Sequence, residues 1–239
     1  SFLEVVLSKK QFTYFDFKGP VVKGYDAFNH ISTAGLDLKW RRKTAESIAG
    51  WLPVSARVLD VACGSGDMAI ALKKISPHTQ IVGSDPSLEM LKLLPPKLNG
   101  SLQVKPIRAV NDLPFPAASF DAISIAFGVR NFVRLEYDMR ECLRLLKPGG
   151  RLFVLEFFRP HSKGVEKFLT LYQRTLFPVL GFMLTGHVSQ YRYLYRSIVR
   201  FRTKENFAEL LEQAGFTNIR MRPFFFGMAY LITTEKTNG

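Results

Sequence analysis

The stretch Val58-Leu59-Asp60-Val61-Ala62-Cys63-Gly64-Ser65-Gly66-Asp67 decides how the rest of the chain is read. It opens as a short apolar run and closes on two glycines two positions apart. Met68-Ala69-Ile70-Ala71-Leu72 follows with a helical repeat. A strand, a tight turn and a helix N-terminus in that order gather backbone N–H groups where a ligand can approach glycine closely. On glycines alone the signal is weak, because Gly64-x-Gly66-x-x-Ala69 also passes as a dinucleotide fingerprint.

Two acids narrow the ligand. Asp60 stands inside the first strand, where a carboxylate costs stability unless something pairs with it. It would repel a pyrophosphate brought to the turn and would attract a cation. Ile81-Val82-Gly83-Ser84-Asp85 is a second apolar strand ending in an acid, at about the 20-residue spacing from which such an acid accepts hydrogen bonds from ribose hydroxyls. S-adenosylmethionine carries a ribose, no phosphate, a sulfonium and an ammonium. The turn therefore reads as its loop, with Asp60, Gly64, Ser65, Gly66, Asp67, Asp85 and Pro86 expected around it. A glycine-rich turn with an incidental acid is the plainer alternative.

The 239 residues include two cysteines, Cys63 and Cys142, which make neither a disulfide framework nor a metal spacing, and no metal is expected. A reducing compartment is the simplest reading. Formal charge is +13, so an anionic partner is expected. No nucleic-acid motif accompanies the charge, which leaves a membrane surface as the better candidate. No 18-residue run lacks charges and breakers, so no membrane span is expected. The expected location is the cytoplasm with peripheral membrane contact, or an organelle matrix if a targeting segment preceded Ser1.

In chain order, residues 1–24 read as an aromatic-rich arm without a clear period. Residues 37–50 read as a helix capped by Asp37 and closed by Gly50. Pro86 to Leu94 reads as a helix stopped by Pro95-Pro96, residues 102–107 as a short strand and Phe120 to Phe127 as a buried one. Residues 134–146 form an amphipathic helix ended by Lys147-Pro148-Gly149-Gly150, before a strand over Arg151 to Phe157. Residues 160–203 break the alternation, with a broken apolar stretch at 168–184 and Arg192, Arg196 and Arg200 recurring at i, i+4, i+8. A helix closed by Gly215 and strands near 217–222 and 226–234 finish the chain. Strands alternating with helices predict one α/β domain over 1–239. Its sheet is doubly wound, mostly parallel and seven-stranded, with an antiparallel C-terminal strand. Ligands of such sheets bind at the carboxyl ends of the strands. Gly64, Asp85, Asn111, Gly128 to Asn131 and Glu156 to Phe158 all fall on that edge, and Phe127 is expected at the cofactor.

These residues resemble the ubiquinone/menaquinone biosynthesis C-methyltransferases, a class I S-adenosylmethionine-dependent family. The resemblance rests on Tyr25-Asp26-x-x-Asn29 with Gly35 and Trp40, on the glycine turn, and on Leu113-Pro114-Phe115-Pro116 with Ser119-Phe120-Asp121. It continues through Phe127-Gly128-Val129-Arg130-Asn131, Leu146 to Arg151 with Leu155-Glu156-Phe157, and Tyr191-Arg192-Tyr193-Leu194 with Ser197-Ile198. The matches are collinear from about residue 20 to 220. Ala109 departs from the polar residue the family often places before Leu-Pro-Phe. Adenine recognition is accordingly expected from Asn111, Asp112 or backbone atoms.

The resemblance implies methyl transfer from S-adenosylmethionine to a ring carbon of a prenylated quinol, either demethylmenaquinol or a ubiquinone-pathway benzoquinol. Losing a quinol hydroxyl proton places negative charge on the ring, and the site must favour that phenolate. Arg130 is the expected partner of the charge, with Asn131 and Tyr25 in the same network. Arg130-Asn131 would equally serve to cap the next helix or pair with an acid, Tyr25 to fill the core, and His30, His161 and His187 to decorate the surface. Residues 160–203 are expected to form a helical insertion that holds the prenyl chain while its arginines meet anionic headgroups. A homodimer and contacts with other quinone-pathway enzymes are further expectations. Two other readings stay open. One is a related methyltransferase acting on another aromatic or natural product; the other is a cofactor-binding accessory protein without catalysis.

Overall fold

The computed structural model describes residues 26–27, 29–94, 102–106, 113–159, 164, 167, 170–171, 174–175, 182 and 196–238. The expected N-terminal arm and most of the 160–203 insertion lie outside them, as do Tyr25, Asn111, Asp112, Pro95-Pro96 and Arg192.

Seven strands form one sheet: β1 (Arg57–Val61), β2 (Gln80–Asp85), β3 (Leu102–Pro106), β4 (Phe120–Ala126), β5 (Leu146–Phe157), β6 (Thr217–Phe224) and β7 (Ala229–Glu235). Their order is β3-β2-β1-β4-β5-β7-β6. β1 to β5 pair in parallel, and β7 runs antiparallel between β5 and β6. This is the expected doubly wound sheet with its reversed C-terminal strand. The strands β1, β2 and β4 are buried almost throughout, which is why they read as continuous apolar runs rather than alternating ones.

Helices α1 (Leu36–Ala49), α2 (Asp67–Ile75), α3 (Leu88–Leu91), α4 (Leu135–Leu145) and α5 (Lys204–Gln213) cover the sheet. Two apolar clusters fill the layers. One centres on Phe120, Met139, Val154 and Phe207, the other on Trp40, Ile48, Met68 and Phe153.

Three local expectations change. Asp37 does not cap α1: the N-cap is Gly35 at φ 72°, without a side-chain bond, and Asp37 turns inward instead. The helix after Pro86 is one turn long, started by Ser87 Oγ accepting from the Met90 N–H. Lys147 to Gly150 does not punctuate helix and strand, because β5 already begins at Leu146. That stretch is held by the chain's end: the Gly149 N–H donates to Lys236 O and the Lys236 N–H to Gly150 O, both at 2.9 Å.

The carboxyl ends of β1 and β4 are kinked. Ala62 follows β1 at φ 55° and Phe127 follows β4 at φ 60°, left-handed values that cost a residue with a Cβ. Gly128 fits between them because a Cβ there would come within 2.5 Å of the Ala62 Cβ. β1 and β4 are neighbours although far apart in sequence, so the strand order reverses direction between them.

Candidate functional site

The glycine turn starts where β1 ends. Gly64 and Gly66 take φ 55° and 90°, and the Gly66 N–H donates to Cys63 O at 2.9 Å, which closes the turn. The turn is tied to the end of β2: the Gly64 N–H donates to Asp85 Oδ2 at 2.9 Å, while Asp85 Oδ1 accepts from the Ser87 N–H at 2.8 Å. Pro86 lies between these contacts. Burial pushes the Asp85 carboxyl above the usual carboxylate range, and the two backbone donors pull it back. Burial also holds the Cys63 thiol well above its ordinary value.

Asp60 is the site's most exposed electrostatic problem, although it is 1% exposed to solvent. Ser124, its register neighbour on β4, donates to Oδ1 at 2.7 Å. Oδ2 has no hydrogen-bond partner among the described residues. Burial raises the Asp60 carboxyl to about 7; the Ser124 bond and Arg41 act against the rise, while Asp85 and Asp67 add to it. A buried acceptor without a donor, among mutually repelling acids, is stabilised by a cation. The residues present therefore fit a ligand that carries positive charge.

The wall of this crevice is one face of α1, with Asp37, Trp40, Arg41 and Thr44 at i, i+3, i+4 and i+7. Trp40 packs against Phe127, Phe157 and Phe224 at ring-centroid distances of 6.4, 5.9 and 6.1 Å. The Arg41 guanidinium lies 5.0 Å over Phe127 and its Nε 3.7 Å from Asp67 Oδ2. Phe127, expected at the cofactor, stacks on Phe157 at 4.8 Å. From the segment before α1, Asp26 hydrogen-bonds Ser65, and burial followed by Asp67 raises its carboxyl. His30, read from sequence as an ordinary surface or loop residue, is partly buried and paired with Asp37. The polar members of α1's inward face were the signal that points to this wall.

Arg130 and Asn131 sit in a 3-10 turn, Val129–Asn131, after β4. The Arg130 Nη1 is ion-paired with Glu156 Oε1 at the end of β5, and its Nε donates to Ser197 Oγ at 3.1 Å. The two side chains are 3% and 0% exposed. Burial pushes the Glu156 carboxyl up, with Arg130 and the Phe157 N–H pulling the other way. The acid that would pair with Arg130 thus comes from the neighbouring parallel strand. Arg130 also reaches the Phe157 ring at 5.9 Å, which puts it beside the aromatic wall.

Among solved structures, the fold is similar to that of the cyclase SpnF, with a TM-score of 0.62 at 18% identity over 83% of this chain and 81% of that one. The CurJ carbon methyltransferase is similar at a TM-score of 0.57 and 16% identity, covering 79% of this chain and 50% of that one. At such identities the likeness establishes architecture alone. Sequence carries further. The chain is 37% identical to the demethylmenaquinone methyltransferase of Thermotoga maritima, over 87% of this chain and 90% of that protein. It is 36% identical to the ubiquinone/menaquinone biosynthesis C-methyltransferase UbiE of Geobacter sulfurreducens, over 92% and 87%. The demethylmenaquinone methyltransferase of Deinococcus radiodurans is 38% identical over 89% and 88%. Residues 10–236 match the ubiE/COQ5 methyltransferase family, and the chain belongs to that family.

Proposed function

We propose that this chain transfers the methyl group of S-adenosylmethionine to a ring carbon of a prenylated quinol in respiratory quinone biosynthesis. The likeness along some nine-tenths of the chain to relatives bearing those names carries the reading. The unpartnered Asp60 oxygen gives it a physical footing, because the donor's cation answers the site's unbalanced charge. When bound, S-adenosylmethionine supplies an electrophilic methyl group.

In this proposal Asp60, Gly64, Ser65, Gly66 and Asp67 hold the methionine end, Asp85 and Pro86 face the ribose, and Phe127 lines the wall. Asn111 and Asp112, outside the described residues, are left for adenine. Arg130, fixed by Glu156 and Ser197, is preorganised to favour a phenolate oxygen rather than solvent. Asn131 and Tyr25, the latter also outside the described residues, complete that network. Trp40, Phe127 and Phe157 exclude water from the reacting carbon.

Incubating the protein with methyl-labelled S-adenosylmethionine and, in turn, demethylmenaquinol and a ubiquinone-pathway quinol tests the reading. Label should enter the organic-soluble quinol fraction with at least one of them. Binding of adenosylhomocysteine without transfer to either quinol would instead favour an accessory role or another aromatic substrate.

Peripheral membrane contact belongs to the same proposal. Among the described residues, no helix is long and apolar enough to cross a membrane. Leu171 and Phe182 are 64% and 65% exposed, and Arg196 and Arg200 are exposed on a helical stretch at 196–200. With the charge of +13, sedimentation with vesicles containing anionic phospholipid should exceed that with neutral vesicles and should fall as salt rises. Equal sedimentation with both would remove the membrane from the proposal.

A further inference from the structure

The segment before α1 reaches the glycine turn through a histidine with a fixed orientation. His30 Nδ1–H donates to Asp37 Oδ2 at 2.7 Å, and Thr33 Oγ–H donates to Asp37 Oδ1 at 2.8 Å. Asp37 is 2% exposed, so both its oxygens are committed inside the protein. A histidine ring held at Nδ1 has a defined free edge, because the bond at one nitrogen sets the role of the other. That edge, Nε2, lies 3.9 Å from Asp67 Oδ2, and Arg41 Nε lies 3.7 Å from the same oxygen. Asp67 is the first residue of α2, directly after Gly66. At the other end of the segment, Asp26 bonds Ser65. Asp26 and His30 therefore each meet the turn, and the His30–Asp37 bond ties the second meeting to α1.

One histidine and two carboxylates with ligand atoms within 4.8 Å also raise the question of a metal ion. The geometry speaks against it. The 2.7 Å separation at Nδ1 is a hydrogen bond, and a guanidinium already stands on the Asp67 oxygen that a cation would need.

We propose that His30, oriented by Asp37, is a positioning residue for the cofactor. With Nδ1–H committed to Asp37, its Nε2 is an acceptor set 3.9 Å from Asp67 Oδ2, and the two acceptors together turn toward the donor end of the cofactor. The placement matters because Asp67 already adds to the repulsion felt by both Asp60 and Asp26. How the His30 edge and Asp67 stand together decides how these acids share the charge of an incoming cation. The proposal rests on the reading of the crevice as an S-adenosylmethionine site.

Calorimetry with adenosylhomocysteine and steady-state kinetics with S-adenosylmethionine, on the whole chain and its variants, provide the test. His30→Ala and Asp37→Asn should each weaken adenosylhomocysteine binding ~10-fold and raise KM for S-adenosylmethionine by a similar factor, with the larger part of the loss in KM rather than kcat. The double variant should be no worse than either single one, because the two residues act as one unit. His30→Asn keeps a donor toward Asp37 but lacks the outer edge. It should keep the parent's thermal midpoint and still lose affinity, which a merely structural role would not produce. Losses that multiply in the double variant, or parental affinity in His30→Ala or His30→Asn, would overturn the proposal. A parent chain that ignores adenosylhomocysteine overturns the cofactor reading itself; parental binding retained in the variants overturns only the role of His30.

Discussion

Asp60→Asn should make the ligand-free protein more stable at pH 8 and at the same time cost it the cofactor. The wild-type carboxyl is raised to about 7 from 3.8, chiefly by burial. Between those values the folded chain binds more protons than the unfolded one, so stability falls as pH climbs through that window. A shift of this size corresponds to ~3–5 kcal/mol of penalty at pH 8. Asparagine can still accept from Ser124, but its own buried amide lacks a partner, which returns ~1–3 kcal/mol. The net expectation is a gain of ~1–3 kcal/mol in urea unfolding at pH 8, shrinking toward pH 4. Adenosylhomocysteine lacks the sulfonium but keeps the ammonium, and S-adenosylmethionine carries both. Affinity for both should therefore drop, by ~30-fold or more for S-adenosylmethionine, because a desolvated charge pair has lost one member. A variant less stable at pH 8 than the parent, or one binding S-adenosylmethionine normally, would contradict this account of Asp60.

Removing Arg130 should damage folding as well as chemistry. Arg130→Ala leaves the fully buried Glu156 carboxylate without its cation, a change expected to cost ~3–5 kcal/mol. Lost turnover in that variant alone therefore says little about mechanism. Replacing both partners, Arg130→Met with Glu156→Leu, removes the uncompensated charge along with the pair. It should recover stability to within ~1–2 kcal/mol of the parent. If Arg130 stabilises a phenolate, the double variant should fold, bind adenosylhomocysteine within a few-fold of the parent, and still fail to methylate quinol. Parental turnover in the stable double variant would take Arg130 out of the reaction and leave it a purely structural partner of Glu156.

The sheet was legible in the sequence because its inner strands are buried on both faces. Val58 to Val61, Ile81 to Ser84 and Phe120 to Ala126 needed no partner to be recognised as strands. The glycine turn was legible for the opposite reason: Gly64 and Gly66 take left-handed conformations that their sequence context alone suggests. What escaped depends on side chains meeting across the fold. Asp37 has the composition and place of a cap, yet Gly35 starts the helix and leaves Asp37 free to turn toward His30 and Thr33. His30 has no neighbour in sequence that marks it as paired. Asp60 was readable as a buried acid, whereas the hydroxyl of Ser124 that satisfies half of it comes from a strand 64 residues on. The ion pair of Arg130 and Glu156 follows from the parallel register of β4 and β5, which no local pattern encodes.

The reversed strand β7 has a consequence for synthesis. Because it runs against β5, with Ala229 beside Phe157, the hairpin leading into it emerges on the ligand edge and presses Phe224 onto Trp40. The wall thus joins α1 to a hairpin far later in the chain. A nascent chain that has not yet made this hairpin has the glycine turn but not the finished wall. Ligand-assisted folding accordingly waits for that hairpin, and contacts of high sequence separation set its pace.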